Sequence, residues 1–232
     1  KFISVKKCCK RLFHQRYFNV DNKYCLIGGS DLDDTNNCYL YKKKNDKKYY
    51  WIEYAFIFKP VKEFLEYCVK NFNSGGKSSI LSNYFYGNFF YTNTEYNKLI
   101  SLIRNAQNSI FIENQWIYST KITKNVIIKE ILDRIIQNRS ITVTIITNDE
   151  YIDSCNKKAV GTIHGYLNCL GYREIFRAYL YYSLSFMFNY LRKHNLTTKE
   201  INKILKIYVP KKDILIHSKN VIVDHNKMLY GT

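Results

Sequence analysis

The 232 residues carry 46% hydrophobic and 24% charged side chains, enough apolar material for a sizeable buried core, which excludes an intrinsically disordered chain. The net charge of +17, from 36 basic against 19 acidic residues, excludes an acidic protein and predicts attraction to polyanions: anionic lipid headgroups, phosphorylated substrates or nucleic acid. Seven cysteines, an odd number with no C-x-x-C pair and no Cys/His cluster at zinc-ligand spacing, argue against a structural zinc site and fit a reducing compartment best.

Taken in chain order, YCLIG (24–28) and YAFIF (54–58) are short β-branched or aromatic runs and predict strands. PVKEFLEYCVKNF (60–72) predicts a helix with Pro60 in its first turn. NTEYNKLISLIRNA (93–106) sets Leu99, Ile100, Leu102 and Ile103 as a helical stripe behind an Asn/Thr cap. SIFIE (109–113) is a strand. A third helix spans 123–138, with Val126, Ile127, Ile131, Leu132, Ile135 and Ile136 expected on one face. ITVTIIT (141–147) is a strand, 161–193 a long helical region, and KIYV (206–209) and NVIVD (220–224) are strands. Strands alternating with helices predict an α/β fold, helices packed on a mixed sheet. The most apolar stretch, 178–191, is too short and too rich in hydroxyls to cross a bilayer, and reads as a buried or interfacial helix. No signal peptide is visible. A chain that starts at Lys1 and stops at Gly231-Thr232 after a strand-like run reads as a segment of a longer protein.

Residues 14–29, HQRYFNVDNKYCLIGG, and residues 217–232, HSKNVIVDHNKMLYGT, form an internal repeat. Both fit His-x-(Lys/Arg)-x4-Asp-x6-Gly-(Gly/Ser/Thr), so His14, Arg16, Asp21, Gly28 and Gly29 align with His217, Lys219, Asp224, Gly231 and Thr232 without a gap. In each copy a strand leads through a polar turn into a second strand, and His and its cation, at i and i+2, share a strand face. That pairing suits a phosphate ligand. The cation binds non-bridging oxygens and stabilises the charge that builds during transfer. An imidazole, with an ordinary pKa near ~6.5, attacks phosphorus when neutral and protonates a leaving oxygen when charged. Attack and departure occur on opposite sides of an in-line displacement, so one copy cannot do both. Two copies can, one His forming a covalent phosphohistidine and the other acting as general acid and then base.

The doubled pattern resembles the two HKD motifs of the phospholipase D superfamily, and the segments between them resemble its eukaryotic phosphatidylcholine-hydrolysing branch. GGSDL (28–32) is similar to that branch's GGxDL, and WIEYAFIFKPVKEFLEYCVKNFN (51–73) to its W-H-D strand and following helix. KSSI (77–80) is similar to its Ser-Ile element, IFIENQWIYS (110–119) to its IYIENQFF signature, and YREIF (172–176) to its Tyr-Arg helix. The resemblance implies a duplicated fold of two αβ halves, the first about 1–90 and the second about 91–232, with the second incomplete at its C-terminal end and the whole truncated at both ends. It implies hydrolysis of phosphatidylcholine-type lipids to phosphatidic acid and a free alcohol, with no metal and no cofactor. It assigns His14 as nucleophile, His217 as acid, Arg16 and Lys219 as phosphate-binding cations, and Glu53 as the carboxylate that sets the tautomer of the first His. Asn114, Gln115 and Thr232 line the cleft, and Asp21, Asp224, Gly28, Gly29 and Gly231 shape the motifs. The chain departs from the family at Arg16, where Lys is usual, at Ile52 in place of the His of W-H-D, and in lacking the Arg-x-Asp after GGxDL. The expected setting is cytoplasmic and peripheral to a membrane, with a phospholipid substrate and anionic lipid as partners rather than nucleic acid. The segment on its own is expected to be inactive. The alternatives are a degenerate lipid-phosphate-binding pseudo-enzyme, or a nuclease or phosphatidyltransferase of the same superfamily.

Overall fold

The computed structural model describes residues 17–28, 50–52, 54–73, 80–81, 85–86, 94–117, 125–149, 163–210 and 214–231. Along them run β1 (Tyr17–Val20), β2 (Tyr24–Gly28), β3 (Tyr50–Ile52), β4 (Ala55–Phe58), α1 (Lys62–Asn73), β5 (Ile80–Leu81), β6 (Phe85–Tyr86), α2 (Thr94–Arg104) and β7 (Ser109–Asn114). There follow α3 (Val126–Gln137), β8 (Thr142–Ile146), α4 (Ile163–Lys193), α5 (Thr198–Ile204), β9 (Leu205–Tyr208), β10 (Ile214–Ile216), β11 (Lys219–Val223) and β12 (Lys227–Gly231). Two compact units divide the chain: the described parts of 1–31 and 54–99 form one, and the described parts of 32–53 and 100–231 the other.

In the first unit β1, β2 and β4 make an antiparallel sheet in that order, and β5 pairs with β6. Helix α1 turns Phe64, Tyr67 and Cys68, at i, i+3 and i+4, onto Cys25, Ile27 and Phe58. Phe58 meets Phe64 edge to face with centroids 5.1 Å apart. The helix begins later than its sequence suggests. The Val61 carbonyl accepts from the amides of Phe64 and Leu65, which makes Val61 the cap and leaves Pro60 ahead of the helix rather than in its first turn.

The second unit holds a five-stranded mixed sheet in the order β12-β11-β7-β8-β9, with β7, β8 and β9 parallel and β11 antiparallel to both its neighbours. A separate parallel pair joins β10 to β3. Thus the tract around 51–58, a single strand by resemblance, divides its described strands between two sheets: Trp51 and Ile52 pair with Leu215 and Ile216, whereas Ala55 pairs with Gly28. Ile110 and Ile112 on β7 lie beside Val143 and Ile145 on β8, and all four are buried. Each such side chain contributes about 1.5–3 kcal/mol by leaving water. Helix α3 packs against α4, and α5 against α4, β8 and β9.

The buried face of α3 is Ile128, Ile131, Leu132 and Ile135. Val126 is exposed and Ile127 and Ile136 only half-buried, which corrects the stripe drawn from sequence. At about 100° per residue Val126 stands on the far side of the helix from Ile128. On α4 the buried line is Leu180, Ser183, Met187 and Leu191, while Tyr179, Tyr181 and Tyr182 face outward. Among the described residues no helix is long and apolar enough to cross a membrane. Helix α5 had no counterpart in the sequence reading. It starts on a capping box, in which the Thr197 hydroxyl accepts from the Glu200 amide and the Glu200 carboxylate accepts from the Thr197 amide.

Candidate active site

The two motif copies fold into the same hairpin. In β1–β2 the partners are Tyr17 with Ile27, Phe18 with Leu26, Asn19 with Cys25 and Val20 with Tyr24. In β11–β12 they are Asn220 with Tyr230, Val221 with Leu229, Ile222 with Met228 and Val223 with Lys227, the same pairs at one constant offset. Both turns hold their first two residues in the left-handed region: Asp21 and Asn22 at φ 51° and 55°, Asp224 and His225 at φ 51° and 59°. Asp, Asn and His tolerate that conformation better than other residues with a Cβ. Each turn is closed by an amide three residues on, Lys23 donating to Val20 at 2.9 Å and Asn226 to Val223 at 3.2 Å.

In the second copy His217 sits in the break between β10 and β11, half-buried like Lys219, while Ser218 and Asn220 are buried. This alternation sets His217 and Lys219 to one side and Ser218 and Asn220 to the other, as the i, i+2 spacing predicts. Lys219 folds back so that its Nζ donates to the His217 carbonyl. It is paired across the ladder with Asn114 on β7 and with Gly231 on β12.

On the opposite side the Ser218 hydroxyl donates to the buried carboxylate of Glu113. Asn220, paired with Glu113, is 4% exposed, and its Oδ1 has no hydrogen-bond partner among the described residues. Ahead of His217, the buried Asn148 donates from Nδ2 to the Ile216 carbonyl at 2.8 Å and accepts the Ile216 amide on Oδ1 at 2.8 Å. The same Nδ2 donates to the Gln115 carbonyl at 3.0 Å. The Gln115 carbonyl, just past the end of β7, is thereby tied to Asn148.

Asp224 ties the hairpin to the turn before β7. Its carboxylate accepts from the amides of Gln107 at 3.0 Å, Asn108 at 2.7 Å and Ser109 at 3.0 Å, and its own amide donates to the Ser109 carbonyl at 2.9 Å. Burial raises its pKa, but the backbone donors together outweigh that and hold the carboxyl below its ordinary value. Gly28 ends β2 opposite Ala55, where an added Cβ would meet the Ala55 Cβ at an ordinary 3.5 Å.

His14, Arg16, Gly29, Glu53 and Thr232 lie outside the described residues. The described residues bring together His217, Lys219, Asn114 and Gly231 within one unit, with Gln115 close by through its carbonyl. Sequence reasoning missed Ser218, Glu113 and Asn148. Ser218 is the unspecified residue of H-x-K, and Glu113 was passed over inside IENQ, although strand alternation distinguishes it from Asn114. Asn148 carries no motif. Among the described residues no group of three His, Cys, Asp or Glu side chains is arranged to hold a metal ion.

No family model matches the chain, and no curated protein matches it. Among solved structures it is similar to the phosphatidylserine synthase of Haemophilus influenzae Rd KW20, at 14% identity and a TM-score of 0.51, over 91% of this chain and 51% of that one. The chain thus spans about half the length of that protein. The likeness shows the fold alone: a mixed α/β architecture, its mixed sheet flanked by helices, shared with that synthase.

Proposed function

We propose that the protein is a phosphodiester-transfer enzyme of the phospholipase D type acting on phospholipids at a membrane surface. The observation that carries this reading is the repeated hairpin, identical in register and in its left-handed turn, each copy preceded by His-x-(Lys/Arg). The shared fold supports it. In this reading His14 attacks phosphorus, the P–O bond to the headgroup breaks, and His217 gives the leaving alcohol its proton. His217 then takes a proton from water, whose oxygen displaces His14 and yields phosphatidic acid. Arg16 and Lys219 neutralise the non-bridging oxygens throughout. Glu53 is proposed to set the tautomer of the first His, His14.

Phosphatidylcholine-type lipids are the proposed substrates, and a cytoplasmic, peripheral location with attraction to anionic lipid fits the net charge of +17. A second reading differs only in the acceptor: a hydroxyl such as that of serine replaces water, and the fold shared with a phosphatidylserine synthase favours it. Vesicles of phosphatidylcholine and phosphatidylserine separate the two. Phosphatidic acid formed with choline release when no alcohol is added supports hydrolysis; choline release only in the presence of serine, with phosphatidylserine formed from labelled serine, supports transfer. Both reactions are expected to be lost in His217→Asn, and full activity in that variant refutes the assignment. Vesicle binding without either product indicates a lipid-binding pseudo-enzyme.

A further inference from the structure

We infer that Asn148 and Glu113 are positioning residues that hold the peptide on either side of His217; the role rests on the reading of His217 as a proton-transferring group. Strand β10 ends at Ile216 and β11 begins at Lys219, so His217 and Ser218 lie between the two strands. A buried polar side chain holds each flank of this step. Asn148 meets the amide and carbonyl of Ile216 with its own carbonyl and amide, as a neighbouring strand would, and its third bond anchors the Gln115 carbonyl at the end of β7. Glu113 accepts the Ser218 hydroxyl from the opposite strand face. Asn148, Glu113 and Ser218 are all buried, where polar groups keep their partners and side chains hold one geometry.

His217 is therefore gripped at the residue before and the residue after, while its own ring stays on the half-buried side with Lys219. A misplacement of about 1 Å at a reacting group costs about a hundredfold in rate, so a fixed peptide here has a direct kinetic meaning. An ordinary structural role predicts something else, namely loss of stability with no selective effect on the imidazole.

The experiment compares Asn148→Ala, Asn148→Asp, Glu113→Ala and Glu113→Gln in the whole protein. Three properties are measured: thermal unfolding, the NMR titration of the His217 ring (assigned with His217→Asn), and kcat and KM on phosphatidylcholine vesicles. Asn148→Ala and Glu113→Ala are expected to lower kcat about 10- to 100-fold with KM changed less than about threefold, and to shift the His217 titration. Asn148→Asp keeps the shape and the acceptor but loses the donors, and is expected to follow Asn148→Ala. Glu113→Gln keeps an acceptor for Ser218 and is expected to recover to within about threefold of wild type. If Glu113→Gln falls as far as Glu113→Ala, Glu113 acts through its charge and the inference is overturned. It is also overturned if both alanine variants, folded, leave kcat and the His217 titration unmoved. Should an alanine variant not fold, Asn148→Asp and Glu113→Gln decide alone. If wild type shows no turnover while the titration still shifts in the pattern given, the positioning role stands and the proposed reaction fails.

Discussion

Two hairpins of nearly identical geometry live in very different surroundings. Val20 at the end of β1 is 58% exposed, while Val223, at the same place in β11, is 1% exposed. Strand β2 of the first hairpin is flanked by β4, whereas in the second it is β11 that is flanked, by β7. Register and left-handed turn are nonetheless the same. Hairpin geometry is therefore written locally, by the polar turn residues and strand alternation, while burial is imposed by whichever strand lies alongside. The lesson is that the hairpin's register and turn are set locally, whereas the position of His217 also draws on its neighbours Asn148 and Glu113.

The strongest way to break this equivalence is chemical. His14→Asn and His217→Asn should each lower turnover by roughly a thousandfold or more, and the double variant should be little worse, because residues acting as a unit are not additive. A 32P-labelled, acid-labile and base-stable intermediate should form in wild type and be lost in only the variant lacking the nucleophile. Intermediate formation in both single variants removes the phosphohistidine reading.

Next in size is the anchor of the second hairpin. Asp224→Ala strips three amides of their acceptor and should cost roughly 2–3 kcal/mol, read from urea unfolding. The sign with pH follows from the lowered pKa of Asp224. Its stabilisation is full above the unfolded carboxyl value near ~3.9 and is lost as pH falls through the lower folded value. The gap between wild type and Asp224→Ala should therefore close toward acid; a gap that widens there shows that the carboxylate is not the source. Smaller still is the burial contrast. Val223→Ala should destabilise by roughly 1.5–2 kcal/mol and Val20→Ala by less than about 0.5, and equal losses would show that burial is alike in solution.

The repeat was legible because its spacing is rigid. One gap between His14 and His217 copies would have hidden it, and none occurs. The strands at 24–28, 109–113, 141–147 and 220–224 were legible because β-branched and aromatic residues cluster there. Helix α5 was not, since seven residues give too little periodicity, although Thr197 and Glu200 marked its start. The division of 51–58 between two sheets could not be read from local pattern, because the partners of Ile52 and Ala55, Ile216 and Gly28, are set by distant pairing. The Asn148 clamp escaped for the same reason: its partners, Gln115 and Ile216, are far away in sequence.

The last comparison concerns a strand position whose two motif residues differ in kind. Tyr17 and Asn220 occupy the same strand position, and Asn220 is buried with an amide oxygen that has no partner among the described residues. A buried polar atom left without a bond carries a desolvation cost of about 1–3 kcal/mol, and replacing it by an apolar group of similar shape removes that cost. Asn220→Val also suits a central strand, where a β-branched side chain packs well. The variant should therefore be as stable as wild type or more so, by up to about 1 kcal/mol, in the same urea series. Destabilisation beyond about 1 kcal/mol would mean that Oδ1 has a partner in solution, and would mark Asn220, beside Glu113, as part of the polar network around His217 rather than a tolerated defect.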